Sequence, residues 1–213
     1  MYHYLWKPVK ILGSRLNFLN VKILLLLFTP LFLSGVFFLF NEGLLPAVVY
    51  PVLPTSFAFI GLTMVAKSFT ERKNVNLGWL LIILNHFWIA LAVSFNERFS
   101  FSHTAIYLSG VIVSGIVGYL CLLKLERLEK DVDLTRFQGH SYEHPTLALI
   151  FFLACLGLAG FPITTTFLGE DLIFSHIHEN QLFLIVLVCL VCFGLFWFVL
   201  VCFGLFLIVF DCF

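Results

Sequence analysis

Apolar runs of 19 to 29 residues, separated by short polar stretches that carry nearly all the charge, set the pattern of this chain. A hydrocarbon core about 30 Å thick takes roughly 20 apolar residues in a helix rising 1.5 Å per residue. Residues 21–40 (VKILLLLFTPLFLSGVFFLF), the proline-rich 45–66, 77–95 and 104–123 each predict a membrane-spanning helix. A broken fifth crossing is expected over 145–179, and 182–210 offers 29 residues without a charge, enough to span with tilt. The fold expected is all-α, a polytopic transmembrane bundle of about six spans, one of them discontinuous. Its parts are an N-terminal arm (1–20), four helices (21–123), an amphipathic connector (124–144), the discontinuous helix (145–179) and a C-terminal helix (180–213).

Composition narrows the class. Hydrophobic residues make up 61% of the 213 positions, charged residues 11%, and there are 27 phenylalanines, far from the averages of soluble domains. The formal net charge is zero and Lys and Arg are not clustered, so neither nucleic-acid binding nor a polybasic membrane tether is expected. The first apolar run continues past Pro30 and Gly35 without a small-x-small cleavage site and reads as a span, not a removable signal peptide.

Basic residues near helix ends predict orientation. Lys7, Lys10, Arg15 and Lys22 precede or open the first run; Lys67, Arg72 and Lys73 follow the second; Lys124, Arg127, Lys130 and Arg136 follow the fourth, whereas the alternate loops carry at most Arg98. Both termini are therefore expected in the cytoplasm. In the connector, Leu125, Leu128 and Val132 recur at near-helical spacing and Glu126 precedes Lys130 by four, as in a short interfacial helix or a solvated link.

The strongest local signal is GLAGFPITTTFLGED, 157–171. Pro145 suits a helix start, and the chain is apolar from there to Ala159. Pro162 cannot donate a backbone hydrogen bond, Gly157, Gly160 and Gly169 loosen the backbone, and Thr164, Thr165 and Thr166 are β-branched with hydroxyls that can bond freed carbonyls. A helix break is predicted over Gly160, Pro162, Thr164, Thr165, Thr166 and Gly169. Irregular backbone at membrane depth is tolerated only inside protein or along a wet cavity, and transporters place ion sites at such breaks. Glu170 and Asp171 would open the following half-helix, where its dipole favours carboxylates. The plainer reading makes them caps of an ordinary helix outside the membrane; the functional reading makes them an ion site.

The run DLTRFQGHSYEHPTLALIFFLACLGLAGFPITTTFLGEDLIF, 133–174, resembles the signature of the antiporter-like, proton-conducting membrane subunits of respiratory complex I, Mrp-type sodium/proton antiporters, membrane-bound hydrogenases and inorganic-carbon uptake systems. Leu134, Arg136, Gly139 and Pro145 match the start of that signature; Leu158, Ala159, Gly160, Phe161 and Pro162 match its end, and Phe167 precedes Gly169 and Glu170. The resemblance implies that Glu170 holds the position of the family's terminal lysine or glutamate on a discontinuous helix beside a proton outlet. It implies a subunit of a proton or Na⁺/H⁺ translocating complex in the bacterial inner membrane, partnered by other membrane subunits and not catalytic alone. A redox-driven translocase such as NADH:quinone oxidoreductase is one such complex. Glu170, Asp171, His176 and His178 are the expected proton-transfer residues, with His86 and His103 as candidates for an intramembrane relay.

The departures are equally specific. Family members have about fourteen helices and a central helix of the kind H-[AGT]-x-x-K-x-x-L-F, whereas His103 is followed by no lysine until Lys124. His86 in LNHFWIAL also reads as a hydrogen-bonded packing residue. LVCFGLF occurs twice, at 190–196 and 200–206, and the C-x-x-C of Cys189 and Cys192 reads as small packing residues within an apolar run. No nucleotide loop, haem ligand pair or iron–sulfur cysteine set is seen, so no cofactor is expected. Two other functions remain open: a scaffolding subunit without a proton path, and a histidine-box metalloenzyme using His140, His144, His176 and His178 beside Glu179. His144 precedes Pro145, which biases it away from helical geometry and weakens the His140–His144 pair.

Overall fold

The computed structural model describes residues 2–44, 46, 49–95, 101–129, 132 and 143–176. Its α-helices are α1 (Tyr2–Arg15), α2 (Val21–Phe40), α3 (Val52–Thr70), α4 (Val75–Ser94), α5 (Phe101–Glu129), α6 (Pro145–Leu158) and α7 (Thr165–His176), with a 3₁₀ turn at Glu42–Leu44. Among the described residues the fold is an all-α bundle with one discontinuous helix. Among the described residues four helices, α2 to α5, are long and apolar enough to cross a membrane. The fifth expected crossing is split by its break into pieces of 14 and 12 residues, about 21 and 18 Å long at 1.5 Å per residue, and neither spans the hydrocarbon alone. The sixth, 182–210, lies outside the described residues, as do its cysteines and repeat; of the 124–144 connector, the first six residues continue α5 and most of the rest lies outside the described residues.

Helix boundaries follow local chemistry. The second span begins at Val52, not at 45, because the prolines confine it: Pro51 is its cap and Pro54 falls in the first turn, where a missing N–H costs nothing. At the other end α3 runs on to Thr70, which brings Lys67 inside the bundle instead of leaving it in a loop. Lys67 is 1% exposed, and its ammonium meets Glu71 at 2.7 Å, Asn17 Oδ1 at 2.9 Å and the Gly13 carbonyl at 3.2 Å. Its three donors thus have three acceptors, the condition for burying a lysine at all. Through these bonds the N-terminal segment forms a helix, α1, docked on the end of α3.

Asn74 caps α4 by accepting the Leu77 N–H at 3.0 Å. Asn74→Ala is expected to destabilise the bundle by about 1 kcal/mol, the usual value of such a cap, measured as a lowered unfolding midpoint in detergent.

The central element is α4. Sixteen of its 20 residues are buried, including both tryptophans, so it is covered by protein on every side. On one side Phe28 and Phe32 of α2 and Phe57 of α3 pack around Trp88. On the other, Trp79 lies against Phe151 of α6 at 5.1 Å and donates to the Gly115 carbonyl of α5 at 3.0 Å. Gly118 supplies the space, since a methyl group there would overlap the Trp79 indole. The outward faces of α2 and α5, with Leu26, Leu33, Val113 and Leu120 exposed, are what a lipid-facing surface requires.

Candidate functional site

Residues 159–164 form the break. Ala159 N–H donates to Cys155 at 2.9 Å, and Phe161 N–H reaches back to Leu156 at 3.1 Å. Between them Gly160 adopts φ +67°, the left-handed conformation that lets a helix end in a Schellman turn. The chain turns through Pro162 and Ile163, and Thr164 starts the next helix: its hydroxyl donates to Phe161 O at 2.7 Å and accepts Phe167 N–H at 3.3 Å. The three threonines therefore do different things. Thr164 caps α7, Thr165 is exposed, and Thr166 is completely buried against Gly110.

Close contacts fix the level of the break. A methyl group on Gly157 would overlap the Ser114 hydroxyl, one on Gly110 would overlap Thr166, and one on Gly169 would lie 2.5 Å from the Tyr107 Cα. Along α6 and α7 the partners on α5 thus step from Ser114 to Gly110 to Tyr107, so both half-helices run antiparallel to α5 as one interrupted rod. The interruption falls beside 110–114, near the middle of the 29-residue α5.

Glu170 is the sixth residue of α7, and no acidic residue occupies the first turn. The expectation that the carboxylates cap this helix is corrected, because Thr164 already fills that role and the helix starts five residues earlier. The Glu170 side chain is partly buried and folds back over the break: a methyl group on Gly160 would overlap its Oε2 and lie 2.9 Å from Cδ. Asp171 is exposed, and neighbours in a helix point about 100° apart, so the two carboxylates do not form one site. Gly160→Ala is expected to cost about 1–2 kcal/mol for the left-handed backbone and to displace the carboxylate. Its detergent melting temperature falls, and combining it with Glu170→Ala recovers only the steric part.

His86 lies near the middle of α4, 1% exposed, with Nδ1 2.5 Å from Tyr107 Oη. His103 is half-buried in the first turn of α5, one turn before Tyr107. His176 is the last residue of α7, and His178 lies outside the described residues. Tyr107 was missed in the sequence; only its spacing of four from His103 could have drawn attention to it.

At the far end of α6, about 20 Å from the break by helical rise, His144 Nε2 pairs with Glu129 Oε1 at 3.1 Å. With Glu143 they offer two carboxylates and an imidazole within 4.8 Å of one another, a set whose donor types suit a divalent metal. Of the histidine-box residues, His144 thus pairs with Glu129 and lies near Glu143; His140, His178 and Glu179 lie outside the described residues.

The chain is 28% identical over 130 residues to the NADH-quinone oxidoreductase subunit N of Buchnera aphidicola, an overlap of 60% of this chain and 24% of that relative. With the subunit N of Blochmanniella floridana it shares 27% over 117 residues, 54% of this chain and 23% of the relative. The matched region thus spans about a quarter of the length of these relatives. No solved structure matches. The family profile described as NADH:quinone oxidoreductase/Mrp antiporter, transmembrane, matches residues 84–196, which include the C-terminal half of α4, all of α5 and both halves of the broken helix. More than half of the sequence falls within that match, and the polytopic bundle with its discontinuous helix agrees with it: this chain is an integral membrane protein of the NADH:quinone oxidoreductase/Mrp antiporter family.

Proposed function

We propose that this chain is a membrane subunit of a proton or Na⁺/H⁺ translocating complex, and that Glu170 is the carboxylate through which protons pass at the helix break. The observation that carries this reading is the placement of that carboxylate over Gly160, level with the middle third of α5 and away from the helix terminus where a cap belongs. An ionisable side chain at that level is costly unless it works or is paired. The names of the two relatives support association with a redox-driven complex, in which other subunits supply the driving force. His176 and His178 are the proposed acceptors at the outlet, with Asp171 exposed on α7. Both termini are proposed to be cytoplasmic.

Acidification of proteoliposome interiors under an imposed potential, read with an enclosed pH dye, tests the reading. Potential-driven proton entry above that of empty liposomes is expected, and its dependence on external Na⁺ identifies the coupled ion. A rate equal to the lipid leak, with the protein inserted, rejects conduction and favours a scaffolding subunit.

A further inference from the structure

The starts of α2 and α4 and the end of α3 open onto one polar cavity of about 710 Å³. Asn20 and Ile23 reach it from α2, Asn74 and Leu77 from α4, and Arg72 and Lys73 from the turn between α3 and α4. The first N–H groups of a helix have no partner inside it and carry the positive end of its dipole, so two helix starts and two basic side chains attract an anion here. Glu71 also lines the cavity, but its carboxylate is already neutralised by the Lys67 ammonium at 2.7 Å. A second, apolar cavity of about 180 Å³ adjoins the first. Leu19 belongs to both, and at the junction Lys67 of the apolar cavity bonds Asn17 of the polar one at 2.9 Å. From there the apolar cavity runs as a groove between α2 and α3, from Leu24 to Leu31 and from Lys67 to Ile60, about 10 Å by helical rise. Trp88 of α4 forms part of its floor, and Leu27 and Leu31 are half-exposed, so the groove opens sideways toward lipid.

We propose that this joined cavity binds an anionic phospholipid, its phosphate against Arg72, Lys73 and the starts of α2 and α4, and one acyl chain in the groove between α2 and α3. The polar cavity lies where these helices begin or end, at the level of the headgroups, and the groove lies within the spans, at the level of the acyl chains. Charge selects the occupant. A zwitterionic lipid brings its own cation to a site that already holds two, a neutral amphiphile leaves both uncompensated, and a free phosphate leaves the groove unfilled. Binding also has a structural consequence. On α2 only Leu24 and Gly35 are buried, so a lipid wedged against α3 adds contact where the bundle has least.

Native mass spectrometry of the full chain in detergent, with phosphatidylglycerol or phosphatidylcholine added, tests the site. One phosphatidylglycerol is expected to stay bound, with an affinity about thirtyfold above that of phosphatidylcholine, roughly fivefold for each basic residue at the headgroup. Arg72→Gln combined with Lys73→Gln removes that preference, and Lys73→Arg keeps it. Lys73→Gln alone, at an exposed position in the turn, lowers it about fivefold and serves should the double variant insert poorly. Leu27→Trp, which fills the groove from its exposed side, is expected to weaken both lipids alike. Phosphatidylglycerol raises the unfolding midpoint of the native chain and not that of the double variant. Equal retention of the two lipids makes the groove an ordinary lipid-facing surface and overturns the proposal. Displacement of phosphatidylglycerol by millimolar inorganic phosphate reduces the site to an anion site without a chain groove, which overturns it as well. Retention of neither lipid also overturns it, and a dimer in the same spectrum would assign the groove to a second copy of this chain.

Discussion

Proton flux falls by about a hundredfold, within the range that loss of a proton-transferring side chain produces, when Glu170 is replaced by glutamine. The substitution keeps the size and hydrogen-bonding reach of the side chain and removes only its ability to ionise. Because the carboxylate sits on Gly160 and not at the helix terminus, the change spares the Thr164 cap and the turn at Leu156–Phe161, so insertion and abundance stay the same. Flux in proteoliposomes at equal protein density is the measurement. Asp171→Asn, at the exposed neighbouring position, is expected to leave flux within about twofold, since that side chain points away from the break. Equal rates for native and Glu170→Gln would make the chain a scaffold that retained the broken helix without a path through it.

Trp79→Ala is expected to destabilise the bundle by about 3–5 kcal/mol, the upper range for loss of a large buried ring. In lipid the helices are not driven together by exclusion of water, so the effect comes from lost packing and from the hydrogen bond left unmade at Gly115. Trp79 touches three elements: it lies against Phe151 of α6, donates to α5 and occupies the space over Gly118. Its removal loosens α6, which holds one side of the break, so flux should decline together with stability. Reversible unfolding in mixed detergent micelles, paired with the flux assay, checks both. Trp79→Phe, which keeps most of the ring volume, should recover more than half of the loss, whereas an undiminished midpoint for the alanine variant would show that α6 is held from elsewhere.

The long spans could be read directly because each must satisfy its backbone within itself, and only an apolar helix does so in a bilayer. The run 21–40 and helix α2 coincide at both ends, and the break was legible from Gly160, Pro162 and the threonines, since those residues act on the backbone locally. Lys67 was not legible. Its position near positive neighbours placed it in a loop, and only the approach of Gly13, Asn17 and Glu71 explains why it can be buried. The paired carboxylates misled for a similar reason: adjacency in sequence placed Glu170 and Asp171 together, whereas the helix turns one inward and the other out.

The sequence by itself determined the class of this protein, its apolar spans and the place where one helix must end, because hydrophobic length and backbone chemistry are local properties. The tertiary structure alone decided that Glu170 lies over Gly160, that Lys67 is buried against Gly13 and Asn17, and that His86 meets Tyr107. Each depends on which face a helix presents to a neighbour distant in sequence, and that is set by close packing at Gly110, Gly118, Gly157 and Gly169, where only a hydrogen in place of a side chain lets the helices approach.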